Sequence, residues 1–267
     1  MDTYGRLREA MKWMWSLGDY REVAMRLRPH AQALVAACGI SPGMTVLDVA
    51  AGNGNVAIEA ARMGAEVTAS DLAPSMVEMG RERSEEEGLA ITWLEADAEE
   101  LPLPTGSFDI VTSAFGAIFA PRPERVAPEL FRVARPGGLV AMANYTSRGF
   151  LAAFADLISS FASPAPIALP SPFQWGDADE VRRRFDGLAS SIELRPRIGA
   201  FEFGTTQEAL AFMERTNPGQ LALRSLLPEE RYREVLEQSE CLMREQNAVS
   251  DGRTVLEFGY LMVLARA

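Results

Sequence analysis

The sequence predicts an α/β fold: a doubly wound sheet of five parallel strands, completed by a C-terminal antiparallel strand pair. Three observations predict it. Between Thr45 and Asn144, short apolar runs alternate with amphipathic ones; a glycine-bearing turn follows the first run directly; and two further strand-like runs near the C-terminus are separated by helical sequence.

The five core runs are TVLDVA (45–50), AEVTASD (65–71), ITWLEAD (91–97), FDIVTSA (108–114) and GLVAMAN (138–144), carrying β-branched residues and bounded by turn formers. Between them, NVAIEAARMG, APSMVEMGRERSEEEG and RVAPELFRVARPGG read as helices. Pro74 suits a first helical position, and Gly64, Gly88 and Gly137 stop their helices. Strand–helix–strand repetition returns the chain to the same sheet edge each time, which makes the strands parallel and puts helices on both faces.

Ahead of this core, which spans residues 40–147, residues 1–39 read as two helices separated near Gly18, with a break at Arg28-Pro29 just before His30. They form a helical lid. Behind the core, ASPAPIALPSPF (162–173) holds four prolines and reads as a stiff connector. Asp177 with Glu180 and Thr205 with Glu208 have capping-box spacing, and residues 228–248 read as a long helix. The stretches 191–204 and 254–267 are expected to pair at the sheet edge, leaving 148–190 and 205–250 as insertions that cover a substrate.

Composition narrows the function. With 37 acidic against 26 basic residues, the net charge of −11 argues against nucleic acid and anionic membranes, because both require a concentrated basic surface. The one basic run, Arg182 to Arg184, reads as a solvated helix face. No segment has the ~18 uninterrupted apolar residues of a membrane span, and the charged first residues do not read as a secretory signal. Cys38 and Cys241 are far apart in sequence, and His30 is the only histidine. A reduced, cytoplasmic protein without a zinc site is expected.

The chemistry concentrates in VLDVAAGNGNVA (46–57). A strand running through Gly52 and Gly54 into a helix sets backbone N–H groups at the carboxyl edge of a parallel sheet, where ligands of such sheets bind. Read literally, Gly52-x-Gly54-x-x-Ala57 also matches a dinucleotide fingerprint, so a nicotinamide or flavin oxidoreductase is one alternative. Asp48 argues against it, because a carboxylate there repels a pyrophosphate and suits an ammonium or sulfonium. Asp71, ending the second strand, can accept two hydrogen bonds from a ribose diol, or simply cap the helix that begins at Pro74. Asp97-Ala98, ending the third strand, offers polar contacts to a base.

In order, LDVAAGNGN, VTASDLAPSMV, EADAEELPLPTGSFDIV and LFRVARPGGLVAMAN resemble the successive motifs of class I S-adenosylmethionine-dependent methyltransferases, notably the small-molecule enzymes related to ubiquinone/menaquinone biosynthesis. The resemblance covers about residues 40–145 and implies a Rossmann-like fold with S-adenosylmethionine as cofactor. It implies that Asp48 and the turn Ala50, Gly52, Asn53 and Gly54 surround the methionine moiety. Asp71 then holds the ribose, Leu72 and Met76 pack on the nucleoside, Asp97 and Ala98 bind adenine, and Ser113 stands beside the sulfonium. The family's usual first glycine is Ala50 here, a change expected to cost little. SLGDY (16–20), SPFQWG (171–176) and the terminal strand resemble flanking features of an actinobacterial subgroup. A protein that keeps this cofactor site for cyclisation or other non-methylating chemistry remains a second alternative.

The expected acceptor is a small molecule, with Tyr20, His30, Phe115 and Trp175 as candidate pocket residues. No catalytic base is assigned. The acceptor atom, whether N, O or C, and the oligomeric state, a homo-oligomer included, stay open.

Overall fold

A computed structural model describes residues 2–164 and 167–267; Ala165 and Pro166, within the connector predicted at 162–173, lie outside the described residues. Seven strands form one sheet in the order β3-β2-β1-β4-β5-β7-β6. These are β1 (Thr45–Val49), β2 (Glu66–Asp71), β3 (Ile91–Glu95), β4 (Phe108–Ala114), β5 (Ala134–Gly149), β6 (Ser191–Phe203) and β7 (Thr254–Arg266). The first five run parallel. Strand β7 lies antiparallel between β5 and β6, so the two C-terminal strands pair as expected, in unbroken register from Ser191–Arg266 to Phe203–Thr254. Val46, Leu47, Val49, Val111, Val140 and Ala141 at the sheet centre have no solvent exposure, the pattern of strands covered on both faces.

Crossover helices α3 (Asn55–Arg62), α4 (Pro74–Glu86) and α5 (Pro123–Val133) join the parallel strands. Gly64 and Gly88 follow the first two with left-handed φ values of 83° and 66°, as predicted. The third differs. Helix α5 ends at Val133 and β5 starts at once, so Gly137 lies inside the strand rather than closing a helix. Pro136 accounts for this: its ring disfavours helical geometry at Arg135, and the freed carbonyls of Arg132 and Val133 accept from Gly106 and Ser107 instead.

Helices α1 (Thr3–Trp15) and α2 (Tyr20–Cys38) precede the sheet, capped by Asp2 and Asp19 and separated at Gly18. The predicted break at Pro29 is absent, and α2 runs through it. An internal proline costs about 3 kcal/mol. Leu27, Leu34 and Val35 on the buried face of α2 each contribute about 1.5–3 kcal/mol, which outweighs that cost.

After β5 come α6 (Phe150–Phe161), α7 (Ala178–Arg184), α8 (Thr206–Thr216), α9 (Pro218–Leu226) and α10 (Glu229–Glu245). Asp177 and Thr205 cap α7 and α8 as their spacing predicts. Helices α6 and α9 were not legible as separate elements; α6 packs against both α9 and α10.

Trp93 on β3 wedges the site's supports together. Its ring lies where a Cβ on Gly80 would come within 2.1 Å and one on Gly54 within 2.7 Å, and its indole N–H donates to Ser84 Oγ at 3.1 Å. Gly80→Ala should therefore destabilise the protein by about 1–3 kcal/mol through overpacking, despite alanine's better helix propensity. A lower urea midpoint with unchanged slope is the expected result; an unchanged midpoint would show that the ring moves aside freely.

Candidate active site

The turn after β1 takes left-handed backbone at Ala50 (φ 53°), Gly52 (φ 56°) and Gly54 (φ 89°). Ala50 is the strained member, since left-handed geometry costs an L-residue roughly 1–2 kcal/mol, more than the small cost expected. Its backbone is pressed by Gly116, where any Cβ would lie 2.2 Å from the Ala50 carbonyl oxygen. The turn is held from outside by Asp71: Oδ2 accepts from Gly52 N–H at 2.8 Å, and Oδ1 accepts from Ala73 N–H at 2.9 Å. Asp71 therefore links the ends of β1 and β2 and makes an Asx turn; the cap residue of α4 is Ala73. Burial raises the Asp71 carboxyl, an effect larger than the lowering by its N–H donors.

Asp48 sits deeper, 1% exposed, accepting from Thr112 Oγ1 at 3.0 Å and from Ala57 N–H at 3.1 Å. Burial pushes its carboxyl up to about 7 against the opposing pull of those two bonds.

Past β3, Asp97 accepts from Glu99 N–H at 2.9 Å and pairs with Arg8 of α1 at 2.7 Å. Among the described residues, the Ala98 N–H has no protein acceptor. Lys12 ties α1 to Glu95 at 2.6 Å. Buried Glu99 receives Arg122, whose guanidinium lies 4.6 Å over the Tyr4 ring. Charges thus fasten one face of α1 across the sheet edge.

Three adjoining cavities result. The first is lined by Ala50, Gly52, Asp71, Leu72, Met76, Asp97 and Ala98 below, and by Tyr4, Arg8, Met11 and Trp15 of α1 above. Asp48 and Asn53 line a smaller second cavity behind the turn. The third, about 500 Å³, opens between α1, α2, α6 and α8 and shares Trp15, Tyr20, Phe115 and Phe119 with the first. Tyr20 and Phe115 line all three.

Four predicted residues lie elsewhere. Gly54 backs onto Trp93 and caps α3. Ser113 is 1% exposed and accepts from Ala117 N–H at 3.0 Å, while Phe115, at φ 59°, and Gly116 turn toward the first cavity in its place. Trp175 is 1% exposed, packed on Phe185 and Arg184; Phe173 reaches the third cavity instead. His30 packs edge-on against Phe115, Phe258 and Tyr260, and burial lowers its pKa. The α1 residues were missed, although Tyr4, Arg8, Met11 and Trp15 recur at helical spacing and so share one face. No group of three or more potential metal ligands exists among the described residues, and no described helix is long and apolar enough to cross a membrane.

Residues 46–138 match the family model described as a methyltransferase domain. An uncharacterized protein of Mycobacterium tuberculosis (strain H37Rv) is 44% identical over 183 residues, 68% of this chain and 67% of that protein. The ubiquinone/menaquinone biosynthesis C-methyltransferase of Azotobacter vinelandii is 33% identical over 165 residues, 59% of this chain and 62% of that enzyme. A solved structure from Bacillus halodurans C-125, described as a candidate methyltransferase, aligns with a TM-score of 0.61 at 20% identity. It covers 88% of this chain and 97% of its own, a likeness of fold.

The raised Asp48 carboxyl has a measurable consequence. With a folded pKa of about 7 against about 3.9 when unfolded, the native state binds the extra proton between those values, so stability is full below pH 4 and falls as pH rises toward 7. Three pKa units correspond to at most about 4 kcal/mol. Asp48→Asn mimics the protonated acid, so its unfolding free energy should vary less between pH 4 and 8 and exceed the wild-type value at pH 8. An identical pH slope would show that Asp48 is not the group responsible.

Proposed function

The chain belongs to the class I S-adenosylmethionine-dependent methyltransferases, and from that premise we propose that it methylates a small organic acceptor held in the third cavity. The observation that carries this reading is the continuity of that cavity with the first through Tyr20, Phe115, Trp15 and Phe119. A donor in one and an acceptor in the other would meet at this junction.

The first cavity suits the cofactor by its donor set. Asp71 offers acceptor oxygens to a ribose, Leu72 and Met76 give apolar walls, and Asp97 with the unpaired Ala98 N–H offers an acceptor beside a donor to an adenine edge. Asp48 would act on the ammonium end as a charge behind the turn, since it lines the second cavity and not the first. The family match, with the repulsion that an ionised Asp48 would exert on a pyrophosphate, favours this donor over a dinucleotide. Gly54 and Ser113 would support this site through the backbone without lining it.

When bound, S-adenosylmethionine supplies an electrophilic methyl group. The chain's share is to orient it and to exclude water. Such positioning can contribute roughly 7–11 kcal/mol, against roughly 3–5 kcal/mol for a general base. His30 packs edge-on behind Phe115, against Phe258 and Tyr260, and lines none of the three cavities, so the reading assigns it no such role. Residues 1–39 would serve as a lid. With Arg8 and Lys12 anchored, α1 leaves about 80 Å³ over the turn, well below the ~300–1,000 Å³ of small-molecule sites, so a nucleoside would be admitted by displacement of α1. The Azotobacter relative's name supports a biosynthetic role. The net charge of −11 supports a metabolite over nucleic acid and suits a cytoplasmic protein.

Calorimetry with S-adenosylhomocysteine tests the reading: saturable binding is expected, and its absence at millimolar concentration would remove it. Asp71→Ala should weaken that binding by about 2–4 kcal/mol, the sum of two charge-assisted hydrogen bonds partly replaced by water. An unchanged dissociation constant would show that Asp71 neither contacts the ribose nor holds the turn in its binding shape.

A further inference from the structure

The third cavity is chemically one-sided. Most of its wall is aromatic or aliphatic, with Phe154, Phe173, Phe201, Phe212 and Met213 around a space of about 500 Å³, enough for a multi-ring molecule. Among the described residues, Asp156 is the one charged side chain lining it, and Asp156 is exposed, at the rim. A charged group brought to the interior would lose its hydration and find no counter-ion.

Ser159, Ser171, Thr216 and Asn217 are the small polar residues of the wall, and two larger polar side chains stand where it meets Phe115. Tyr20 begins α2, and Tyr145 on β5 stacks on Phe115 with ring centroids 4.3 Å apart and planes 16° from parallel. Both line the cavity, and burial and neighbouring charges, with no hydrogen bond from a described residue, set the surroundings of each phenol. A phenol in an aromatic wall normally finds a partner. The Tyr20 ring lies against the turn, its hydroxyl 3.6 Å from where a Cβ on Gly52 would be, so it stands at the cofactor end of the space that an acceptor would fill, with Tyr145 further along the same wall.

We infer that the acceptor is an uncharged, largely aromatic or polycyclic molecule, and that Tyr20 and Tyr145 hydrogen-bond a hydroxyl or carbonyl oxygen on it at the cofactor end of the cavity. This rests on the methyltransferase reading and narrows its substrate class. Burial, reinforced for Tyr20 by the Asp71 and Asp48 carboxylates, keeps both phenols protonated, so each can donate as well as accept. Tyr20 faces Asp71 and Asp48 from the sheet edge, and Tyr145 faces Tyr20. An anionic acceptor would meet that negative field, and a cationic one would meet the apolar wall.

The test uses the full chain saturated with S-adenosylhomocysteine and follows Trp fluorescence, since Trp15 lines the cavity. The probes are 2-naphthol, a hydroxyanthraquinone and naphthalene, against naphthyl phosphate, naphthoate and naphthylmethylammonium. The hydroxylated neutral probes should bind, with each charged analogue at least about tenfold weaker. Tyr145→Phe and Tyr20→Phe should each reduce the preference for 2-naphthol over naphthalene by about 3- to 10-fold, the worth of one hydrogen bond, while leaving naphthalene binding unchanged. A purely structural role would weaken both ligands alike.

Equal or tighter binding of any charged analogue, or no saturable binding by the neutral ones, overturns the inference. So does an unaltered preference in both tyrosine variants. If S-adenosylhomocysteine itself fails to bind, the methyltransferase reading falls first; if it binds and the neutral probes do not, only the acceptor class is wrong.

Discussion

The Asp71 carboxylate bonded to the Gly52 N–H is the interaction on which the rest of the site depends. That 2.8 Å bond ties the end of β2 to the turn leaving β1, and its companion to Ala73 N–H sets where α4 begins. The turn needs an external brace, because it strings together left-handed residues, one of them alanine. Trp93 supports it from below by filling the space against Gly54 and Gly80. The conformation is therefore held by a hydrogen bond on one side and by a rigid ring on the other. A carboxylate that already organises the turn also lies on the cavity wall, so the proposed cofactor binding would draw on the same group as the fold.

Charge is distributed along the site in a graded way. Asp48, the deepest carboxylate, is the one whose proton affinity burial raises to about 7. Asp97, nearer the edge, already holds Arg8. Beyond the junction the wall becomes aromatic and the charges stop at the rim. A cationic nucleoside on the acidic side and a neutral acceptor on the aromatic side fit this gradient, with Tyr20 between them. Much of the acidic excess lies outside it, in exposed runs such as Glu85-Glu86-Glu87.

The core strands were legible because their information is local: β-branched runs, flanking glycines and a proline at a helix start each act within a few residues. Asp71, Leu72, Met76, Asp97 and Ala98, which line one cavity, could be singled out for the same reason, following β2 and β3 in recognisable motifs. What escaped depended on packing between distant segments. Nothing local says that Arg8 will reach Asp97, or that Phe173 rather than Trp175 will face the cavity, because both aromatics sit in one short turn and only its docking on Asn144 and Arg184 chooses between them. Pro29 looked like a helix break because the buried face of α2 that overrides it is defined by its partners. Ala50 looked inexpensive because its sequence does not reveal its φ.

In the proposed complex one nucleoside cofactor spans Asp71 and the Asp97-Ala98 corner beneath α1. A crystal structure of the S-adenosylhomocysteine complex tests it most directly. Ribose hydroxyls are expected at about 3 Å from the Asp71 carboxylate, the adenine edge on Asp97 and Ala98 with Arg8 displaced, and the sulfur pointing to the Tyr20 junction. A ligand bound away from Asp71, or with its sulfur turned from Tyr20 and the aromatic cavity, would contradict it.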